Sequence, residues 1–313
     1  MTNQINILGS YWYFRRQNLT EILAQHPGID FLADSGAFSA YNSGAEVKLA
    51  DYAAWLLDHA TVINAAATLD VIGDPTTTAR NTDELTHRTN GRITIVPVFH
   101  VGSPWTELER LCRNHRYVML GGAVAVAGRG RETAMLRWCV HAHRIARDHG
   151  TVLHGLGLTR PPYPEKLPWY SIDSSYWTSA TRTGTISLFD GAKLVTFRCG
   201  TPRARAHAKL ITAYGGNPIR VASPGFGIIR EVGEHGRDDR DWMRRAGILA
   251  FRRYETWLRA RRDPIPAPTP VRGNGIKLYL AANSVDELKL IYHTIRDHQT
   301  TTEKATQKDT TNA

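Results

Sequence analysis

The sequence predicts an α/β protein, a TIM-like (β/α)8 barrel with a basic insertion before the last β/α unit. Three observations carry that expectation. Seven short apolar runs recur between residues 5 and 175, β-rich and without polar alternation, as strands buried on both faces require. Amphipathic stretches separate them, giving the strand–helix alternation of a wound parallel sheet. The chain has 313 residues, enough for one large domain of this kind or two smaller ones.

In chain order the runs are INILGS (5–10), FLADSG (31–36), NAAATLDVIG (64–73), ITIVPVFH (93–100), YVMLGG (117–122), TVLHGLGL (151–158) and WYSIDSS (169–175). Between them, EVKLADYAAWLLDHA (46–60) brings Val47, Leu49, Ala53, Leu56 and Leu57 near one helical face. The stretch 131–150 does the same with Met135, Leu136, Val140 and Ile145, and stops at Gly150. An eighth strand is needed for closure, and GIKLYLAA (275–282) supplies it, followed by a helix whose Ser284 and Glu287 have capping-box spacing. Before it, TGTISLFDGAKLVTF (183–197) reads as a hairpin turning at Asp190-Gly191. A basic helix (241–262) and a stiff PIPAPTP linker (264–270) come next. The expected map is therefore the main barrel with the active site at 1–182, a nucleic-acid-contacting insertion at 183–270, the closing strand and helix at 271–299, and a disordered polar tail at 300–313.

Composition narrows the function classes. Apolar residues make up 42% and charged residues 22%, which suits a globular chain rather than a disordered one. No apolar run approaches the roughly 18 residues of a membrane helix, and the N-terminus lacks a signal-peptide pattern, so a cytoplasmic protein with no membrane partner is expected. Cys112, Cys139 and Cys199 are widely spaced and form no CxxC pair, so neither a disulfide framework nor a zinc site is expected. Lys and Arg number 39 against 29 Asp and Glu, a net charge of +10. Residues 198–262 hold 15 of those cations and 6 of those acids, nearly the whole surplus. A basic block on a neutral body suits a polyanion, most simply nucleic acid, although a merely solvated basic surface is the plain alternative. Within it Arg203, Arg205 and Lys209 form one candidate phosphate patch, and Arg244, Arg245, Arg252 and Arg253 on the basic helix form another.

Reactive residues of such barrels lie at the C-terminal ends of the strands. Those ends carry Asp34, Ser35 and Gly36; Asp70 and Asp74; His100; Gly121 and Gly122; His154, Gly155 and Gly157; and Asp173 with Ser174. No HExxH, GxxxxGK[ST] or GxSxG motif is present. Paired carboxylates suit a double displacement at a sugar anomeric carbon, one attacking C1′ while the other exchanges a proton with the base. The attacking acid needs a low pKa and its partner a raised one. Each residue also has a plain structural reading. Asp34 and Asp74 suit turns or helix caps, Asp70 an ion pair with Arg92, the glycines close packing, and the histidines buried hydrogen bonding.

Five segments together resemble the tRNA-guanine transglycosylase superfamily. DSGAFS (34–39) is similar to its DSGGFQ motif and LDVIGDP (69–75) to its base-recognition strand. YVMLGGAVAV (117–126) resembles its GGLAVG segment, HGLGLT (154–159) its MGVGTP turn, and SIDSSYW (171–177) the strand bearing its nucleophile. They occur in the family's order across residues 30–180. The resemblance implies Asp173 as nucleophile, Asp34 as general acid/base, and Asp70 reading guanine's N1–H and amino group. Gly122 and Ala123 would contact the base through their backbones, with Ser35, His100, Gly121 and His154 also lining its pocket. His100 stands where the family tends to carry glutamine, Ser39 replaces the motif's glutamine, and the CxCxxC…H zinc site is missing. The compact length and DSSYW-type strand look more like the DNA-guanine transglycosylases of phages and bacterial modification clusters. That branch implies guanine in DNA exchanged for a 7-deazaguanine such as 7-cyano-7-deazaguanine, with no metal or other cofactor, in the host cytoplasm if phage-encoded. A tRNA substrate or a base-excising glycosylase are the alternatives.

Overall fold

The computed structural model describes residues 4–71, 73–122, 130–227 and 234–311. Two compact units emerge: Met1–Ser174 with Arg261–Val285, and Ser175–Ala260 with Asp286–Ala313.

The first unit is built on a nearly closed, barrel-like parallel sheet. Its strands are β1 (Ile5–Ser10), β2 (Ile29–Asp34), β3 (Ile63–Ala67), β4 (Ile95–Val96), β5 (Val98–His100), β6 (Tyr117–Gly121), β7 (Val152–Gly155), β8 (Ser171–Ser174) and β11 (Lys277–Ala282). Their order is β4-β3-β2-β1-β11-β8-β7-β6-β5, and each pairing is parallel. The end members β4 and β5 are consecutive in the chain, separated only by Pro97. The sheet therefore curls until its two edges share one stretch of backbone. Proline has no N–H for a ladder, yet its carbonyl still accepts from Met119 N–H (2.9 Å), and Val96 O accepts from Thr68 N–H on the other side.

Every strand of the predicted set is present, and 275–282 takes its expected place between β1 and β8. The helices α1 (Leu49–Asp58), α2 (Pro75–Thr89), α3 (Trp105–Asn114) and α4 (Glu132–Asp148) fall between strands. Their starts and stops follow local chemistry. Asp74 caps α2 by accepting from Thr77 N–H (2.9 Å), Pro75 fills the first turn where no N–H is needed, and Asn90 ends it at φ 47°.

Period-2 alternation sends every second side chain to the interior. Leu8, Leu32, Ala65, Ala67, Val96, Val98, Tyr117, Met119 and Tyr279 form one buried cluster there. The N-terminal end of the barrel is closed by charge. Asp30, second in β2, accepts from Lys277 Nζ (2.8 Å), Tyr279 OH (2.9 Å), Gln4 Nε2 (2.7 Å) and Asn64 Nδ2 (2.7 Å). Lys277 is fully buried and also donates to the Arg272 carbonyl.

The second unit contains the hairpin of β9 (Thr185–Phe189) and β10 (Leu194–Arg198), antiparallel as expected. Asp190 shapes its turn by accepting from the N–H groups of Ala192 and Lys193, each at 2.9 Å. Helix α5 (Glu234–Arg259) packs on β9 and on the 3-10 turn Tyr176–Thr178. A Cβ at Gly247 would lie 3.0 Å from the Trp177 carbonyl, so a larger residue would push the helix off. Three features depart from the expected map. The barrel unit ends at Ser174 rather than 182, because Tyr176–Thr183 packs against α5 and β9. The linker from Arg261 onward belongs to the barrel unit with the closing strand instead of to the insertion, whereas the helix after that strand groups, from Asp286, with the insertion instead of the barrel. Residues 300–311, expected to be disordered, continue α6 (Val285–Thr311), since extending a formed helix costs far less than starting one.

Replacing Lys277 with Met would leave Asp30 charged and buried without its cation. Breaking a buried pair in this way costs about 3–5 kcal/mol, so the denaturation midpoint should fall accordingly; an unchanged midpoint would remove the structural role given to this pair.

Candidate active site

Because the strands run parallel, their C-terminal ends share one rim. Asp34 is the last residue of β2, and its Oδ2 accepts from Gly36 N–H (2.9 Å). That turn needs glycine: Gly36 has φ +76°, and a Cβ there would lie 2.2 Å from Ser10 Oγ and 2.6 Å from Trp12 Cβ. Ser35 is buried, and its hydroxyl accepts from Ala37 N–H (3.3 Å), a local turn contact rather than an open pocket wall.

Asp70 lies three residues beyond β3, and its Oδ2 meets His100 Nε2 at 2.9 Å. His100 ends β5 opposite Gly121. A Cβ at Gly121 would come 2.9 Å from Val98 Cγ1 and 3.0 Å from His100 Cδ2, so this glycine makes room for the ring that orients Asp70. Gly122 follows at φ +78°. Ala123, expected to contact a base through its backbone, lies outside the described residues. Asp74 serves as the α2 cap, its structural alternative.

Asp173 sits on β8 with its side chain 13% exposed. Its Oδ1 accepts from Gly157 N–H (2.8 Å) and meets His154 Nε2 at 3.1 Å. Among the described residues its Oδ2 takes no hydrogen bond. His154 is fully buried, and its Nδ1 meets Ser171 Oγ at 2.7 Å. Both ring nitrogens are thus engaged behind the carboxylate, where the ring cannot line a base pocket as expected. Ser171 in turn meets Tyr117 OH at 2.6 Å. Gly157 stands among the expected strand-end glycines, whereas the sequence singles out neither Ser171 nor Tyr117. The signal for Ser171 was its position two residues before Asp173, which places both on one face of the strand.

The three carboxylates act on one another. Burial first, then the nearby charge of Asp70 and a smaller push from Asp173, together raise Asp34 to about 7 against the opposing N–H groups of Gly36 and Ser35. Tyr52, whose hydroxyl donates to the Ala67 carbonyl (2.9 Å), is pushed well above its ordinary value by burial and then by Asp34 and Asp70. Among the described residues, no group of three or more His, Cys, Asp or Glu side chains is arranged to hold a metal ion. No described helix is long and apolar enough to cross a membrane. The three cysteines are buried and free.

In the second unit the two basic patches differ. Arg203 and Arg205 are exposed on the 3-10 segment Pro202–His207, whose Ala204 is buried, and Lys209 is exposed just after it. On α5, Arg245 pairs with Asp241 (2.6 Å) and Arg252 with Glu255 (2.7 Å). Arg253 lies over the Tyr214 ring (4.4 Å) and meets His298 Nε2 at 3.1 Å. Three of the four helix arginines expected to meet phosphate are thus engaged within the unit, Arg245 and Arg252 by carboxylates one turn away on the same helix and Arg253 by Tyr214 and His298. Arg244 is half-buried, and no described carboxylate pairs with it.

Raised proton affinity at Asp34 has a stability consequence of definite sign. The unfolded carboxyl ionises near 3.8 and the folded one near 7, so its contribution is complete below about pH 4 and is lost as pH rises to 7. Asp34→Asn should therefore stabilise the fold by about 1–3 kcal/mol at pH 8 and hardly at all at pH 4. Asp70→Asn should lower the Asp34 midpoint in a carboxyl-carbon NMR titration; a midpoint that stays near 7 would show that burial alone sets it.

The chain matches no family model and no curated protein. Solved structures that match include octameric ribulose-1,5-bisphosphate carboxylase/oxygenase from Pyrococcus horikoshii OT3, at 14% identity over 81% of this chain and 60% of that one, with TM-score 0.23. The same enzyme in complex with sulfate matches at 12% identity, 81% and 59% coverage, and TM-score 0.22. The chain thus spans about three fifths of the length of these structures, and a likeness at this score carries no functional argument.

Proposed function

We propose that this protein is a base-exchanging pentosyltransferase that replaces guanine in DNA with a 7-deazaguanine such as 7-cyano-7-deazaguanine. The observation that carries this reading is the difference between two carboxyls on one rim. Asp34 holds its proton to about pH 7, whereas Asp173 presents an oxygen that no described group occupies. A carboxyl that still bears its proton beside one with an oxygen open for attack is the pairing that double displacement at C1′ requires. The resemblance of residues 30–180 to the guanine transglycosylases assigns the same two aspartates to those roles. In this reading β4 and β5 count as one strand broken at Pro97, which makes the sheet a (β/α)8 barrel, and the basic segment is its insertion.

The target nucleotide leaves the duplex stack to enter the rim. Asp173 Oδ2 attacks C1′, the C1′–N9 bond breaks with its electrons passing to the base, and protonated Asp34 delivers a proton to the departing guanine. Asp70, oriented by His100, accepts from the guanine N1–H and amino group. The incoming deazaguanine then loses its N9 proton to Asp34 and attacks C1′, releasing the Asp173 carboxylate.

Incubating the protein with 7-cyano-7-deazaguanine and either duplex DNA or tRNA, followed by nucleoside digestion and mass analysis, tests the proposal. The modified deoxynucleoside is expected from DNA. Incorporation into tRNA alone would transfer the reading to RNA, abasic product without incorporation would make the protein a glycosylase, and no reaction with either polymer would reject it. Asp173→Asn should lose exchange by at least about 10³-fold with DNA affinity nearly unchanged. Exchange should also fall as pH rises through 7, where Asp34 loses the proton it donates.

The phosphate contacts are placed on the acid-free stretch 191–230 rather than on α5. That stretch carries Lys193, Arg198, Arg203, Arg205, Lys209, Arg220 and Arg230 with no Asp or Glu of its own, and of these Arg220 is taken up by Asp239 on α5 (2.7 Å). Arg203→Ala with Arg205→Ala should weaken DNA binding and reduce the slope of log affinity against log salt by about 1–2. Arg252→Ala should leave that slope unchanged; the opposite pattern would put the contacts on the helix.

A further inference from the structure

The interior of the barrel holds a chain of hydrogen bonds that ends on Asp173 and faces no solvent. Its links are Tyr117 OH to Ser171 Oγ (2.6 Å), Ser171 Oγ to His154 Nδ1 (2.7 Å), and His154 Nε2 to Asp173 Oδ1 (3.1 Å). Tyr117, Ser171 and His154 are all buried. Three strands supply them in register: β6 pairs Met119 with His154, and β7 pairs His154 with Ser171.

Burial pushes the ionisation of Tyr117 well above the ordinary phenol range, so it stays a protonated phenol. Tyr117 and Ser171 each have one O–H, and either can be the donor between them. The other end of the chain is fixed by chemistry: a carboxylate oxygen only accepts, so the His154 ring carries a proton on Nε2 and donates it to Asp173 Oδ1, while Ser171 Oγ meets Nδ1 and orients the ring. Gly157 N–H donates to the same oxygen from the turn after β7.

We infer that His154 is a positioning residue which, with the Gly157 N–H, divides the work between the two oxygens of Asp173. The inference rests on the reading of Asp173 as nucleophile. Oδ1 is held by two N–H donors, which leaves Oδ2 to attack C1′. Once the glycosyl ester forms, Oδ1 is its carbonyl oxygen and the donors remain in place. In the second displacement the C1′–Oδ2 bond breaks, its electron pair returns to the carboxylate, and the negative charge spreads onto Oδ1. Donors already aimed at that oxygen stabilise the charge as it develops, the same physics that serves an oxyanion hole. No proton leaves His154 at any step.

The role predicts an unequal effect on the two half-reactions. Adduct formation is followed by rapid quenching on DNA without free base, and adduct resolution by a chase with 7-cyano-7-deazaguanine. His154→Leu should slow resolution about 10- to 100-fold, the worth of one hydrogen bond to a charged group, and prolong the adduct. His154→Gln, whose amide N–H can reach the place of Nε2, should restore most of that rate. Ser171→Ala keeps the ring but removes its orienting hydroxyl and should have an intermediate effect; it also stands in if His154→Leu does not fold. A folded His154→Leu that resolves its adduct at the wild-type rate overturns the inference, as does a Gln variant no better than Leu. Nitrogen-15 NMR of the free wild-type protein gives a readout independent of turnover. It should show a His154 proton on Nε2, and an unprotonated Nε2 overturns the inference. A wild type that forms no adduct instead rejects the exchange reading itself, while the NMR result still decides whether Nε2 donates to Asp173.

Discussion

Parallel pairing around a sheet whose two edges meet at Pro97 is the constraint from which the rest follows. It places every strand's C-terminal end on one rim, so acids far apart in sequence face one another without any contact of their own to bring them together. Asp34 follows a strand beginning at Ile29, and Asp173 lies on one that pairs with Lys277. The opposite end of the barrel is closed by a satisfied cluster around Asp30, whose cation and three further donors leave it no spare valence. One end of the cylinder is therefore charge-neutralised and shut, and the other carries carboxylates with no lysine or arginine paired to them among the described residues.

That asymmetry sets the electrostatics. Carboxylates gathered on a partly desolvated rim differ in their local surroundings. Asp34 has the N–H groups of Gly36 and Ser35 against the combined weight of burial and two neighbouring acids. Asp173 has two N–H donors on a single oxygen. A fold that keeps such a cluster gives up stability at the rim and recovers it elsewhere, in the apolar interior and the buried ion pair. Spacing the three acids on different strands lets each acquire its own hydrogen-bond environment.

Charge in the second unit is organised on a different principle. Along α5, basic residues recur with carboxylates one turn away, and the pairs neutralise each other locally. Residues 191–230 carry cations and no acids of their own, but Arg220 still pairs with Asp239 on α5, whereas Arg203 and Arg205 on the 3-10 segment point outward because Ala204 takes the buried position. Density of arginine therefore does not by itself tell which cations lack a carboxylate partner.

Much of the architecture was legible in the residues. The unbroken apolar runs mark strands buried on both faces, and the closing strand at 275–282 follows from the same pattern even after a long excursion. Asp34, Asp70, His100 and Asp173 stand at strand ends by sequence position alone, and the turn glycine at 36 and the cap at Asp74 are written in local chemistry. What the sequence could not decide is which partner each rim residue takes. Apolar patterning fixes which strands are buried but not the stagger between neighbours. Only that stagger turns His154 toward Asp173 and Ser171 instead of the pocket, spends Gly121 on making room for His100, and packs Tyr176–Thr183 with the insertion. Register and side-chain hydrogen bonds are properties of strands in contact, and no single strand carries them.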